Sequence, residues 1–286
     1  MAQSSAAKVF ERVDAAGPDA PLAERSSGLA APASKSDPWK RFTVDVWITD
    51  LNSVEFGIYR HSRNRAKSRQ FSTDMDIFAE VEEDGRRTGL IGYREDLWKQ
   101  RSGMEKRLIV RLFSDTLNWR ATMDLMIGRS LQLTLGARGI PVLAYAVNTH
   151  EDKSIVYVER SANKWPILPE NFSFFIFRDG KPVFYRLRHD LISVGGDYTL
   201  FDERDRKVGH IDGRLFSFGY WTCKVRAEHA DDKLMTVMKL FTATIGFNKA
   251  CRRHIARLAA DVRAGRVEPK LERYEAEYYL NPRRVR

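Results

Sequence analysis

The stretch LMTVMKLFTATIGF, residues 234–247, decides how this chain folds. On a helical wheel its Leu, Met, Val, Phe and Ile side chains cover nearly every face, and Lys239 is its only charge. A helix that is apolar all round has to be enclosed. The run falls short of the roughly 20 consecutive apolar residues that a membrane-spanning helix needs, which points to the rest of the chain as the enclosure. The spacing predicts one long helix over 232–264, a span without proline, with Asp231 or Asp232 placed to cap its first turn. Its second half, 249–263, is of another kind: Leu, Ile and Val alternate with Arg252, Arg253, His254, Arg257 and Arg263.

What precedes the helix reads as sheet. FSFFIF (172–177), KPVFYRLR (181–188), DYTLFDE (197–203) and KVGHIDGRLF (207–216) are consecutive short runs separated by Asp-Gly, Gly-Gly and Asp-Arg turns. Strands at this spacing predict a meander that closes into a barrel or sandwich. Further upstream, RFTVDVWITD (41–50) and SVEFGIYR (53–60) alternate as a hairpin around Asn52, and DMDIFAEVEEDGRRTGLIGYR (74–94) does so around Asp84-Gly85. RLIVRLF (107–113), SLQLTLGARGIPVLAYAV (130–147, with a turn at Arg138-Gly139) and SIVYVER (154–160) extend the strand reading.

Antiparallel sheet wrapped around one buried apolar helix is an unusual combination. Residues 128 to 250 resemble the tubby C-terminal-like superfamily, which includes the LURP-one-related proteins and the phospholipid scramblases. The shared pattern is a repeated strand, Asp-Gly-type turn and strand, as in SFFIFRDGKPVFYRL and DYTLFDERDRKVGHI; a strand such as FSFGYWTCKVRAE follows, then an apolar helix ending in ATIGFN. The resemblance covers somewhat under half the chain. It implies a barrel of about twelve strands closed around the helix, and a binding module for phosphoinositides or other membrane phospholipids. Two features depart from the family. The scramblase-like branch carries a cysteine cluster for lipid attachment, which is missing here, and family chains commonly end soon after the buried helix.

The expected fold is therefore mainly β with α: an antiparallel, roughly twelve-stranded closed barrel around a buried C-terminal apolar helix. A disordered arm is expected over 1–38, rich in Ala, Ser and Pro; the barrel over 39–250, with its central helix from 232; and a basic amphipathic helical extension and tail over 251–286. The arm lacks the apolar core of a secretory signal, and Glu11 and Asp14 argue against an organelle-targeting helix around Lys8 and Arg12. Cys223 and Cys251 are the only cysteines among 286 residues, so neither a disulfide framework nor a zinc site is indicated and a reducing compartment fits.

With 48 Lys and Arg against 38 Asp and Glu, the net charge of +10 biases the surface toward anionic partners. The densest basic segment, RHSRNRAKSR (60–69), holds Arg60, Arg63, Arg65, Lys67 and Arg69 without an acid; guanidinium forks match phosphate oxygens, so this segment is the candidate headgroup-binding site. A second candidate, for partner docking, joins Arg252, Arg253 and Arg257 to Ile255, Leu258 and Val262, which recur on a helical period, and continues into Tyr274, Tyr278 and Tyr279 of the tail. The tail's aromatic residues would be poorly satisfied in solvent, so LERYEAEYYL (271–280) is expected to pack on the barrel or on a partner. Phe172, Phe174, Phe175, Phe177, Phe184 and Tyr185 read as core packing rather than base stacking. The six histidines show no HExxH spacing, and no GxSxG, Walker loop or helix-opening GxGxxG occurs; His189-Asp190 and His210 with Asp212 are the nearest approach to an acid/base pair.

These readings converge on a non-catalytic binding and scaffold barrel with no cofactor and no metal, docking on anionic phospholipid or an acidic partner and lying in the cytoplasm, at a membrane surface or in an organelle such as the mitochondrion. An accessory subunit of a large protein or ribonucleoprotein assembly is the alternative, with nucleic acid the lesser partner. A divergent hydrolase or transferase is the third.

Overall fold

Strict alternation builds the wall of this protein. The structure, a computed structural model, describes residues 38–46, 75–137, 140–150, 154–161, 170–190, 196–213, 219–270 and 275–276. In β1 (Trp39–Val46) Phe42, Val44 and Val46 are buried; in β8 (Asn171–Arg178) Phe172, Phe174 and Ile176; in β12 (Tyr220–Arg226) Trp221, Cys223 and Val225. Side chains two apart share a face, so each strand turns one set inward. The remaining strands are β2 (Met75–Glu83), β3 (Arg86–Arg94), β4 (Ile109–Ser114), β5 (Trp119–Leu125), β6 (Ala144–Thr149), β7 (Val156–Arg160), β9 (Lys181–His189), β10 (Tyr198–Asp202) and β11 (Lys207–Gly213).

Each strand pairs antiparallel with its neighbours in sequence, and β1 returns to β12 over Trp39↔Arg226 to Asp45↔Tyr220, which closes a barrel of twelve strands. Closure leaves no unpaired edge to template aggregation. The predicted tight turns are present: Asp84 and Gly85 have φ of +50° and +73°, Asp179 and Gly180 +50° and +74°. Two successive positive φ values match the twist of the flanking strands.

The lumen holds α2 (Asp232–Thr244), whose Leu234, Val237, Met238, Leu240 and Phe241 are fully buried. Phe241 packs edge-on against Phe172 and Tyr198, with ring centroids 4.9 and 5.3 Å away. A tight turn at Ile245–Phe247 seats Phe247 among Phe78, Tyr93 and Trp98, and α3 (Asn248–Arg263) follows. Outside the lumen α3 packs on α1 (Ile127–Gly136). A hydrogen-bonded chain fixes the junction. Tyr145 Oη donates to Asn248 Oδ1 (3.0 Å), Asn248 Nδ2 donates to Tyr198 Oη (3.5 Å), and Tyr198 Oη donates to Glu170 (3.0 Å), which also pairs with Arg160 and Arg252. Burial raises both tyrosine pKa values well above normal, which keeps the donor protons in place.

The enclosed helix and closed barrel agree with the sequence expectation, and four details differ. Residues 130–136, read as strand, belong to α1: Ile127, Ser130, Leu131 and Thr134 are its buried set, a helical period that S-L-Q-L-T-L also disguises as alternation. β5 was not anticipated. The hairpin between 41–50 and 53–60 finds no free edge along Thr43–Asp45, because β12 and β2 occupy both sides; 53–60 itself lies outside the described residues. The single long helix is two, divided by the turn at Gly246.

Part of the tail folds back. Glu275 is fully buried, and its carboxylate accepts from the backbone N–H groups of Gly128 (2.6 Å) and Arg129 (3.2 Å) in the first turn of α1. It supplies from far along the chain the cap and negative charge that α1 lacks locally. A Cβ at position 128 would stand 2.7 Å from Glu275 Oε2.

Ala is normally the better helix residue by roughly 1 kcal/mol, yet Gly128→Ala should destabilise the fold here by about 1–2 kcal/mol through loss of the cap. Glu275→Ala should cost a similar amount, and denaturant titration of the double variant should show a clearly less than additive loss. A second outcome concerns His254, which packs edge-on against Trp98 with its Nε2 buried and without a hydrogen-bond partner. Burial, with repulsion from Lys106 and Arg257, lowers its pKa from 6.5 to about 4. The unfolded chain takes up this proton first as pH falls, so the contribution is complete above about pH 6.5 and is lost on descending toward pH 4. Thermal melts across that window should show a falling midpoint, and His254→Gln should flatten the slope.

Candidate functional site

With α2 in the lumen, binding chemistry has to lie on the outer wall or at a barrel end. The turns β2–β3, β4–β5, β8–β9 and β10–β11 and the start of α2 all fall at one end, because even-numbered strands run toward it. There the β8–β9 hairpin is tied to the helix. Arg178 donates from Nε and Nη2 to Asp231 Oδ2 (2.9 and 2.7 Å), from Nη2 to the His229 carbonyl (2.7 Å) and from Nη1 to the Glu228 carbonyl (3.1 Å). The other carboxylate oxygen of Asp231 caps α2 by accepting from Leu234 N (2.7 Å). Tyr185 Oη meets His229 Nδ1 at 3.0 Å; burial pushes the Tyr185 pKa up to about 12 and lowers that of His229.

The outer face of this hairpin is apolar. Phe175, Phe177 and Phe184 are 37%, 45% and 53% exposed. Phe175 stands opposite Phe184 and Phe177 opposite Pro182, with ring centroids 5.5 Å apart for Phe175–Phe184 and 5.6 Å for Phe175–Phe177. Further along the same face Ser173 faces Arg186 and Asn171 faces Arg188; Arg188 is exposed and lies over the Phe201 ring, and Arg186 pairs with Asp205. The hairpin thus presents an aromatic tip and a cationic base. At the turn Asp179 and Lys181 oppose each other in sign. The six aromatics expected in the core divide: Phe172, Phe174 and Tyr185 point in, the other three out. The alternation FSFFIF carried that signal, since a run with aromatics on both parities cannot bury them all in a one-sided sheet.

Beside the hairpin, a cavity of about 480 Å³ opens between α2 and the ends of β3 to β6. Lys233 and Lys239 of α2 line it, with Arg120 and His150 at the rim. Lys233 Nζ donates to the Phe177 carbonyl (3.3 Å), and Lys239 pairs with Glu83 at 2.5 Å. Burial lowers the Lys233 pKa.

The sequence-predicted sites fare unequally. Arg60, Arg63, Arg65, Lys67 and Arg69 lie outside the described residues, as do Tyr274, Tyr278 and Tyr279. On α3, Ile255 and Leu258 are buried against this chain's own core, Val262 is partly buried beside them and Arg252 pairs with Glu170, so the apolar half of the expected docking face is already covered. Arg253 and Arg257 are exposed on one stripe with Lys249. His210 meets Asp190 (3.7 Å) and Thr199 (3.4 Å), not Asp212, because the register sets Thr199 opposite His210 and Asp212 opposite Thr222. The Thr199 hydroxyl donates to Asp190 (3.0 Å), which commits its proton. Burial and Lys207 lower the His210 pKa. Among the described residues no cluster of three His, Cys, Asp or Glu is placed to hold a metal ion, and no helix is long and apolar enough to cross a membrane. No family model matches the chain, and neither does any curated protein or solved structure.

Asp231 serves helix cap and ion pair at once, which a pair of variants separates. Asp231→Asn keeps a capping oxygen and loses the charge, whereas Asp231→Ala loses both. The alanine variant should cost about 1 kcal/mol more than the asparagine variant in chemical denaturation.

Proposed function

We propose that this chain is a non-catalytic binding and scaffold barrel whose outer wall docks on anionic phospholipid membrane. The observation that carries the reading is the β8–β9 hairpin, with Phe175, Phe177 and Phe184 exposed at its tip and Arg186 and Arg188 two and four residues behind Phe184. Exposed phenylalanines gain by burying their apolar rings at the headgroup–acyl boundary, and cations at headgroup depth meet the phosphates. A net charge of +10 favours the same surface. The tubby-like resemblance of residues 128 to 250 implies the same class of ligand. Phosphate binding by Arg60, Arg63, Arg65, Lys67 and Arg69 belongs to the same proposal.

A second reading, docking of an acidic protein partner within a larger assembly, is favoured by the exposed stripe of Lys249, Arg253 and Arg257 on α3.

Vesicle sedimentation separates them. The protein should pellet with phosphatidylcholine vesicles containing phosphatidylserine and remain in solution with phosphatidylcholine alone. Burying three half-exposed rings is worth roughly 1 kcal/mol each, so the triple variant F175S/F177S/F184S should bind at least about tenfold more weakly with its melting temperature retained. Equal sedimentation of the variant, or no sedimentation of the native chain, overturns the membrane reading. Loss of partner capture on R253E/R257E with vesicle binding intact supports the second.

A further inference from the structure

We propose that the open barrel end is a second binding site, separate from the outer wall, and that it takes the phosphate monoester group of a small ligand. Four observations converge there. The first is the cavity itself, whose 480 Å³ lies within the range of small-molecule sites at barrel mouths. The second is a polar stripe on a helix that is otherwise enclosed. Asp232, Thr236 and Lys239 recur at helical spacing, Lys233 lies beside them, and all four line the cavity, while the other faces of α2 are buried in the core. Of these charges Lys239 is the one set deep, where it costs solvation and is paired with Glu83.

The third observation is Thr88 on β3, whose Oγ1 is buried in the cavity wall without a hydrogen-bond partner. A buried hydroxyl left unsatisfied opposes folding, and valine would fill the same volume without that penalty. A hydroxyl at this place is a donor open to a ligand. The fourth is the placing of Arg120. Its Nη1 donates to His150 Nε2 (3.0 Å) while His150 Nδ1 donates to the Arg120 carbonyl (3.2 Å), the one arrangement in which both ring nitrogens are matched. This bracket holds the guanidinium at the rim of the cavity.

The donor set selects the ligand. Arg120, Lys233 and Lys239 supply positive charge, and Thr88 and Thr236 supply hydroxyls, against the carboxylates of Asp115 and Asp232 in the wall and of Glu83 on Lys239. Donors spread over both the helix and the strands match the three terminal oxygens of a phosphate monoester better than the two of a carboxylate. Val81, Leu112 and Met235 give the remaining wall an apolar part for the body of the ligand. The shared chemistry has two sources, a soluble sugar or glycerol phosphate and the headgroup of a phosphatidic acid.

Titration calorimetry with glycerol 3-phosphate, and sedimentation with vesicles containing phosphatidic acid, form the two arms, each run on native chain, R120Q/K233Q and T88V. Saturable binding in either arm, weakened at least tenfold in R120Q/K233Q, supports the site, and the arm in which it occurs names the source. T88V should weaken binding while holding or raising the melting temperature, a combination that a merely structural hydroxyl does not produce. The F175S/F177S/F184S variant should keep glycerol 3-phosphate binding, so failure of the wall proposal leaves this one standing. No saturable binding in either arm, binding unchanged in R120Q/K233Q, or acetate competing as well as inorganic phosphate overturns it.

Discussion

A ring of twelve strands is too wide for its inward side chains to meet at the axis, so α2 supplies the volume they leave. Protein interiors tolerate few voids, and the fit is made by particular contacts: Phe241 on Phe172 and Tyr198, Phe247 among Phe78, Tyr93 and Trp98. The dependence runs both ways. The helix has only a narrow polar stripe, too little on which to stand alone, and the sheet has no core without it. Everything the protein presents to a ligand is consequently pushed to its outer wall or its ends.

The two ends are built differently. At the end where α2 leaves the lumen, α1 and α3 pack together, Trp98 backs His254, and Glu275 returns from the tail to cap α1. At the other end Arg178 and Asp231 tie the start of the helix to the β8–β9 hairpin, and a cavity opens along β3 to β6. Lys233 joins the two candidate surfaces, since the Phe177 carbonyl on the aromatic hairpin accepts from its ammonium in the cavity wall.

Much of this was legible beforehand because local rules and global packing agree. Asp-Gly pairs sit where φ turns positive, and the inward rows of β1, β8 and β12 follow the written alternation. Misreading began where two periods fit one string. Residues 130–136 satisfy both a strand and a helix, and only burial of Ser130, Leu131 and Thr134 on a single side resolves them. Ile255 and Leu258 looked like a free docking face because their period is right; nothing local says that this chain's own core already covers them.

The sequence by itself determined that 234–247 must be enclosed, that strands precede it, that Asp231 or Asp232 begins the helix and that the surface is basic, because helical periodicity, capping and net charge are properties of near neighbours along the chain. Tertiary structure decided which phenylalanines face out, that Asp190 and Thr199 rather than Asp212 meet His210, that Glu275 closes on Gly128, and that Thr88, Arg120 and Lys239 share one cavity. Those pairings join residues brought together by strand register and by where the helix rests, and neither is written in any one segment.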